Sequence, residues 1–186
     1  MIRIQKPAFG RWIIPLLILL FSASLRVLLI SKGPYHLDCL TLIVQASKTL
    51  DTHRLHGLFG TGYPLTVILA SLAELAARFS PSIETVVAVN CISVLFSLLG
   101  VLLLYLLARD LLGETTAVLT ALMFSVSPIF LGLSVYANSH TICIFFLLLG
   151  VLFLVRDLND CGRNNLWWSS LSFGLMGVSR VQDLVL

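Results

Sequence analysis

The stretch "YPLTVILASLAELAARFS" (residues 63–80) decides how this chain folds. Its middle is apolar enough to pass for a membrane span, yet it carries Glu74 and Arg78, four residues apart. That spacing sets the two charges on one helical face, where they can pair. Segment 64–79 is also short for a span. We read it as a helix lying on or dipping into a membrane surface. The alternative is an ordinary short span that hides its ion pair inside a bundle.

On either side lie longer apolar runs, at 12–30, 84–108, 115–136, 141–155 and 166–186. The chain of 186 residues is 58% hydrophobic and 11% charged, against roughly 25% charged in a soluble domain. Lipid is therefore the solvent for most of it. Within a bilayer only helices and closed barrels satisfy the backbone. These runs are too long and too leucine-rich for alternating strands of about 9–11 residues. The expected fold is all-α: a polytopic transmembrane helical bundle with about five spans and a juxtamembrane helix on the outer surface, in a single membrane domain over 1–186. Segment 31–80 is its outer loop with amphipathic helices. Polar joints are expected at Ser80-Pro81-Ser82, at Arg109-Asp110 with Gly113-Glu114, at Asn138-Ser139-His140 and over 156–165.

Orientation returns to the opening stretch. Arg3, Lys6 and Arg11 precede the first run and place the N-terminus in the cytoplasm by the positive-inside rule. If 64–79 spans, Arg109, Arg156 and Arg163 all fall outside, against the rule. If it does not, all three fall inside. The first run extends to Ile30, about 19 residues, which suits an uncleaved anchor better than a short signal peptide. The chain is thus expected to be an integral, multi-pass protein of the plasma or inner membrane. Its polar loops at 31–63 and 137–140 would share the outer face.

Several function classes are excluded or unsupported. The net charge of +3 contains no basic block, so a nucleic-acid partner is not expected. Cys39, Cys91, Cys143 and Cys161 show neither zinc nor redox spacing. No Walker loop, GxSxG elbow or Rossmann glycine fingerprint occurs. A transporter would want ionisable groups at mid-membrane depth, and the charges here lie near the ends of the runs.

The remaining polar residues have both a structural and a chemical reading. Asp38 heads an amphipathic stretch marked by Leu42, Ala46 and Leu50. It is either a helix N-terminal carboxylate or a general base for an acceptor hydroxyl. Arg26 and Arg180, each near the outer end of a run, are either snorkelling residues or partners for a phosphate. Trp167 and Trp168 read as an interface belt. Asn138 and His140 occupy an outer turn. His36, His53 and His56, joined by His140, are candidate ligands for a divalent cation, although their spacing fits no compact motif.

One order of motifs runs through the chain. "SLRVLLISKGPYHLDCLTLIVQA" gives Leu25-Arg26, then Asp38, then Ala46 eight residues on. "GYPLTVILASL" (62–72), "LLYLLARDLLGETTAVLTAL" (103–122), "SPIFLGLSVYA" (127–137) and "FFLLLGVLFLVRDLNDCGRNNLWWSSLSFGLMGVSR" (145–180) follow. In this order they resemble the N-terminal part of GT-C superfamily glycosyltransferases of the protein O-mannosyltransferase and aminoarabinose-transferase type. The resemblance implies transfer of a sugar from a polyprenyl- or dolichyl-phosphate-linked donor to a protein, lipid or glycan acceptor on the outer side. It implies that Asp38 is the acid at the catalytic centre and that Tyr63 opens the juxtamembrane helix beside the substrate. It also implies that His140 stands where the family has its second acid, and Cys39 where it has the glutamate of an Asp-Glu pair. Arg26, Arg180, Tyr63 and Asn138 are then substrate-binding candidates. Family members run longer, so the chain is expected to be an N-terminal piece. A non-enzymatic or degenerate membrane subunit of the family is the alternative.

Overall fold

The computed structural model describes residues 13–33, 36–57, 63–80, 83–160 and 163–180; these form eight helices and no strand. Arg3, Lys6, Arg11, Cys161 and the last six positions of the 166–186 run lie outside the described residues. The helices are α1 (Ile13–Leu29), α2 (Leu37–Thr52), α3 (Pro64–Phe79), α4 (Thr85–Leu112), α5 (Glu114–Val126), α6 (Pro128–Ser134), α7 (His140–Asp160) and α8 (Arg163–Ser179).

By length and composition, α4 and α7 can each cross a membrane, and α5 with α6 makes a third crossing if that bent pair is one span. The expectation of five spans is thus met only in part. At 17 residues, α1 is about 25 Å long, short of a hydrocarbon core of about 30 Å. α8 opens with Arg163-Asn164-Asn165 and carries four serines, which dilute its apolar character.

Two expected boundaries move, for one reason. The expected runs 84–108 and 141–155 stop short of Arg109 and Arg156, yet α4 continues to Leu112 and α7 to Asp160; the Gly113-Glu114 part of the expected joint is where α4 ends and α5 begins. Charged side chains leave the helical hydrogen-bond ladder intact. It is Gly113, at φ +93°, that stops α4, with its N–H still reaching the Arg109 carbonyl at 3.2 Å. Conversely, the expected single run 115–136 is broken within. Pro128 has no N–H to donate and clashes with the preceding turn. The chain bends by 62° between α5 and α6, and the Ser127 N–H closes on the Phe124 carbonyl at 3.3 Å.

The helices meet through small residues. Ser22, Ser97, Ser125, Ser134, Ser169 and Ser179 are all buried. Hydroxyls such as Ser97, Ser134 and Ser179 bond back to a carbonyl three residues earlier, at 2.6–2.7 Å, so they pack in apolar surroundings without a lost donor. A tight contact joins α7 and α8 at Gly150. A Cβ on Gly150 would sit 2.9 Å from the Phe173 ring, and Ser169 Oγ donates to the Gly150 carbonyl at 2.9 Å. Gly150→Leu should therefore force the two helices apart and cost about 1–3 kcal/mol, as overpacking does. Thermal unfolding in detergent would register it as a lower Tm.

At one end of the bundle, Asp110 accepts from Arg156 Nε at 3.0 Å and lies 3.5 Å from Arg109, while the Tyr105 hydroxyl donates to Glu114. The other end holds α2 and α3. Val67 and Ala70 of α3 pack with Val89, in the second turn of α4, and with Ala137; Thr66 Oγ1 donates to the Ser179 carbonyl at 3.1 Å. A helix running the length of α4 would set its first turn beside the far end of α4. So α3 lies across the end of the bundle. The Glu74–Arg78 pair forms at 2.8 Å, and Arg78 also reaches Asp51 of α2 at 2.9 Å. These hydrogen bonds to Glu74 and Asp51 raise the guanidinium pKa above its ordinary value. Glu74 is only 4% exposed, while its partner Arg78 and Asp51 are exposed, as are Leu72 and Phe79.

Candidate functional site

Asp38, Leu42, Tyr63, Thr66, Asn138, Ser139 and His140 line one cleft of about 20 Å³ at the α2–α3 end of the bundle. That volume admits about one water-sized group. Its walls come from four places: the first turns of α2, the start of α3, the turn between α6 and α7, and the first residue of α7.

The α2 wall is set by a cap. His36 precedes the helix, and its Nδ1 accepts from the Asp38 backbone N–H at 3.2 Å, satisfying one of the open donors of the first turn. The same nitrogen lies 3.6 Å from Asp38 Oδ2. As the cap acceptor it carries no hydrogen, so in that state the short approach to the carboxylate is not an ion pair. Asp38 lies in the first turn of α2, as a helix N-terminal carboxylate does, and the capping side chain is that of His36. The Asp38 side chain remains 47% exposed, so the carboxylate sits at the mouth of the cleft.

Tyr63 ends the loop before α3 in a left-handed backbone conformation, φ 41° and ψ 55°, and Pro64 follows at the first helical position. Such a conformation costs a bulky side chain about 1–3 kcal/mol, and strain of this kind gathers at functional sites. It buries the tyrosine against the cleft.

The opposite wall depends on Asn138. Its Oδ1 accepts from the backbone N–H of His140 at 2.9 Å and of Thr141 at 3.3 Å; its Nδ2 donates to the Leu133 carbonyl and, at 2.8 Å, to the Tyr136 carbonyl. Both lone pairs and both hydrogens are thereby engaged. Asn138 shapes the turn that presents His140. Arg180, one residue past α8, lays its guanidinium against the His140 ring. The Thr66–Ser179 bond fixes the chain immediately before it.

The structure thus brings together Asp38, Tyr63, Asn138, His140 and Arg180. Arg26 is not among them. It is 0% exposed and sits inside the bundle. Its Nε donates to Ser97 Oγ at 2.7 Å and its Nη1 to the Ser22 carbonyl at 3.1 Å, with Ser22 Oγ also in reach. Nη1 also approaches the Ser125 carbonyl at 3.4 Å, and the guanidinium stands 5.4 Å from the Phe130 ring centroid. The candidate metal ligands do not converge either. His36 and His53 flank opposite ends of the 16-residue α2. His56 bonds Thr52 Oγ1 at 2.8 Å, and no group of three or more His, Cys, Asp or Glu among the described residues could hold a metal ion.

Sequence reading missed Thr66, Ser139 and, behind the cleft, Asn90. The sole signal for Asn90 is an amide inside an otherwise apolar run, where a polar group needs partners.

The sequence family described as dolichyl-phosphate-mannose-protein mannosyltransferase matches residues 69–186. The match covers Asn138, His140 and Arg180; Asp38 and Tyr63 precede it. No curated protein and no solved structure matches the chain. With well over half of its length matched, the chain belongs to the dolichyl-phosphate-mannose-protein mannosyltransferase family.

Proposed function

We propose that this chain carries the acceptor-activating part of a membrane glycosyltransferase, moving a sugar from a lipid-phosphate donor to a hydroxyl acceptor. The observation that carries the reading is that a half-exposed carboxylate, Asp38, shares one cleft with His140, against whose ring Arg180 packs, at the end of a bundle of apolar helices. A lipid-linked donor would present its phosphate at that level, with its tail in the membrane.

The step needs three things. Asp38 accepts the proton of the acceptor hydroxyl as its oxygen bonds to the sugar's anomeric carbon. The bond from that carbon to the phosphate oxygen breaks, and its electron pair leaves with the lipid phosphate. Arg180 lies where it can hold the departing negative charge. A guanidinium has five N–H donors and can serve an imidazole and a phosphate together. His140, as the neutral ring accepting from Arg180, keeps the guanidinium in place. Membership of the dolichyl-phosphate-mannose-protein mannosyltransferase family points to dolichyl-phosphate-mannose as the donor and a protein as the acceptor.

In the membrane we place α1, α4, the α5–α6 pair, α7 and α8 as five crossings, with α2 and α3 on the outer surface. Arg109, Arg156 and Arg163 then lie on the cytoplasmic side with the N-terminus, in accord with the positive-inside rule. The cleft opens on the outer face of a plasma or inner membrane.

The test is transfer of tritium-labelled mannose from dolichyl-phosphate-mannose to a serine/threonine-rich peptide by the chain in liposomes. Labelled peptide supports the reading; none with peptide, lipid or glycan acceptors overturns it. Arg180→Ala should raise the donor KM roughly 10- to 100-fold, the scale of a charge-assisted bond lost. A donor titration checks this.

A second reading, a non-catalytic relative, draws on the size of the cleft. At about 20 Å³ it takes a hydroxyl or a water but not a sugar ring. The same assay separates the two readings.

A further inference from the structure

We propose that Asn90 is a positioning residue for the transfer step, the one side chain to which both walls of the cleft are referred. The proposal rests on the reading of Asp38 as the base.

Asn90 lies in the second turn of α4 and is 0% exposed. Its amide touches three segments that are distant in sequence. Nδ2 donates to the Ser31 carbonyl, where the chain leaves α1, at 2.8 Å. Oδ1 accepts from the Ala137 backbone N–H at 2.8 Å and from the Cys39 thiol at 3.5 Å. Cys39 is the neighbour of Asp38, and Ala137 the neighbour of Asn138. One amide therefore indexes the carboxylate wall and the His140 wall to the same turn of a long, rigid helix. Ser93, three residues on and on the same face, repeats the contact by accepting from the Asn138 N–H at 3.2 Å. Ser31 completes the clamp, its N–H bonding the Val135 carbonyl at 2.9 Å.

The orientation of the amide is dictated by its partners. Turned over, Nδ2 would face the Ala137 N–H and Oδ1 the Ser31 carbonyl, two like-to-like contacts. Asparagine is a poor helix former, and its amide is expensive to bury unless bonded. Nothing in the packing of α4 calls for a polar residue at this position. What it supplies is register between α2 and the 135–140 turn, and with a transfer step that depends on sub-ångström placement, register is rate.

The test compares the native chain with Asn90→Ala and Asn90→Asp in liposomes, with two readouts. The first is kcat and donor KM for dolichyl-phosphate-mannose. The second is the rate of Cys39 alkylation by a maleimide, read by peptide mapping, because Cys39 is fully shielded under Asn90. Asn90→Ala should lower kcat at least ~10-fold with KM within about 3-fold, and should speed Cys39 alkylation at least ~10-fold as the α2 wall loosens. Asn90→Asp should stay within about 5-fold of native kcat. A buried carboxyl is held in its neutral form and can still donate to Ser31 and accept from Ala137. A folded Asn90→Ala chain with native kcat and a shielded Cys39 overturns the proposal. If the alanine chain fails to insert, Asn90→Ser, too short to bridge Ser31 and Ala137, carries the same expectations and the same overturning result. A native chain that transfers no mannose overturns the functional reading instead. Cys39 then decides alone: exposed in the variant supports Asn90 as the clamp, shielded overturns it.

Discussion

Asp38→Asn is expected to slow sugar transfer by ~10²–10⁴-fold, the range for loss of a positioned general base, while the chain stays folded. The two effects separate because of where Asp38 sits. Its side chain is about half exposed and its backbone N–H is capped by His36, so the fold does not lean on the carboxylate. What asparagine removes from stability is the attraction between a negative charge and the N-terminus of α2, about 0.3–1 kcal/mol. What it removes from chemistry is the only step that takes the acceptor proton. Asn also retains shape and hydrogen-bonding capacity, so access to the cleft is unchanged. Initial rates at matched amounts of folded chain measure the first effect and Tm the second. Asp38→Asn with a native rate would leave the carboxylate as a helix-terminal charge alone.

Arg26 gives the second large effect, on folding. Three features of its surroundings set the sign. The guanidinium is fully buried, its hydrogen-bond partners are serine hydroxyls and backbone carbonyls, and its Nη2 has no partner among the described residues. The nearest opposite partial charge is the C-terminal end of α5, whose buried Ser125 carbonyl lies 3.4 Å from Nη1, just before Pro128 breaks the helix. Arg26→Ala should cost about 3–5 kcal/mol, because it empties a large volume between α1, α4 and the bend and strips the donors from Ser97 and Ser125. Arg26→Met fills most of that volume and removes a buried cation, so it should lie within about 1–2 kcal/mol of the native chain. Denaturation in detergent orders the three. Donor binding then distinguishes the two roles for this residue. As a strut at the bend, Arg26 can become methionine with the donor KM unchanged; as a phosphate ligand, it cannot.

What the sequence made legible follows the range of each interaction. The runs at 84–108 and 141–155 could be read because hydropathy is local, and their helices are there. The Glu74–Arg78 pair could be read because a four-residue spacing is a helix-face rule. The burial of Glu74 and the third partner, Asp51 of α2, could not, since both depend on how α3 packs against α2 and α4. The charges at Arg109-Asp110 and Arg156 interrupt hydropathy but not a helix, so α4 and α7 run past them; α4 stops at Gly113, inside the expected joint, and Pro128 breaks the run 115–136 where hydropathy alone is continuous. Arg26 near a helix end has the same sequence appearance whether it reaches water or turns inward, and its partners Ser97 and Ser125 stand 71 and 99 residues away. In the site, Asp38 and His140 came from the order of motifs, and their sharing of one cleft is a tertiary fact. Asn90 belongs to no motif. Its importance lies in three partners that only the fold assembles.

The most direct test of the account is to find where the donor sugar sits. A dolichyl-phosphate-mannose analogue with a photoreactive group on the sugar, irradiated with the chain in liposomes and mapped by mass spectrometry, reports this without requiring turnover. The account predicts labelling of the peptides that hold Asp38 and Tyr63 and of the 136–142 segment, suppressed by unlabelled donor. Labelling confined to the helices around Arg26, or to the Asp110–Arg156 end of the bundle, would contradict it.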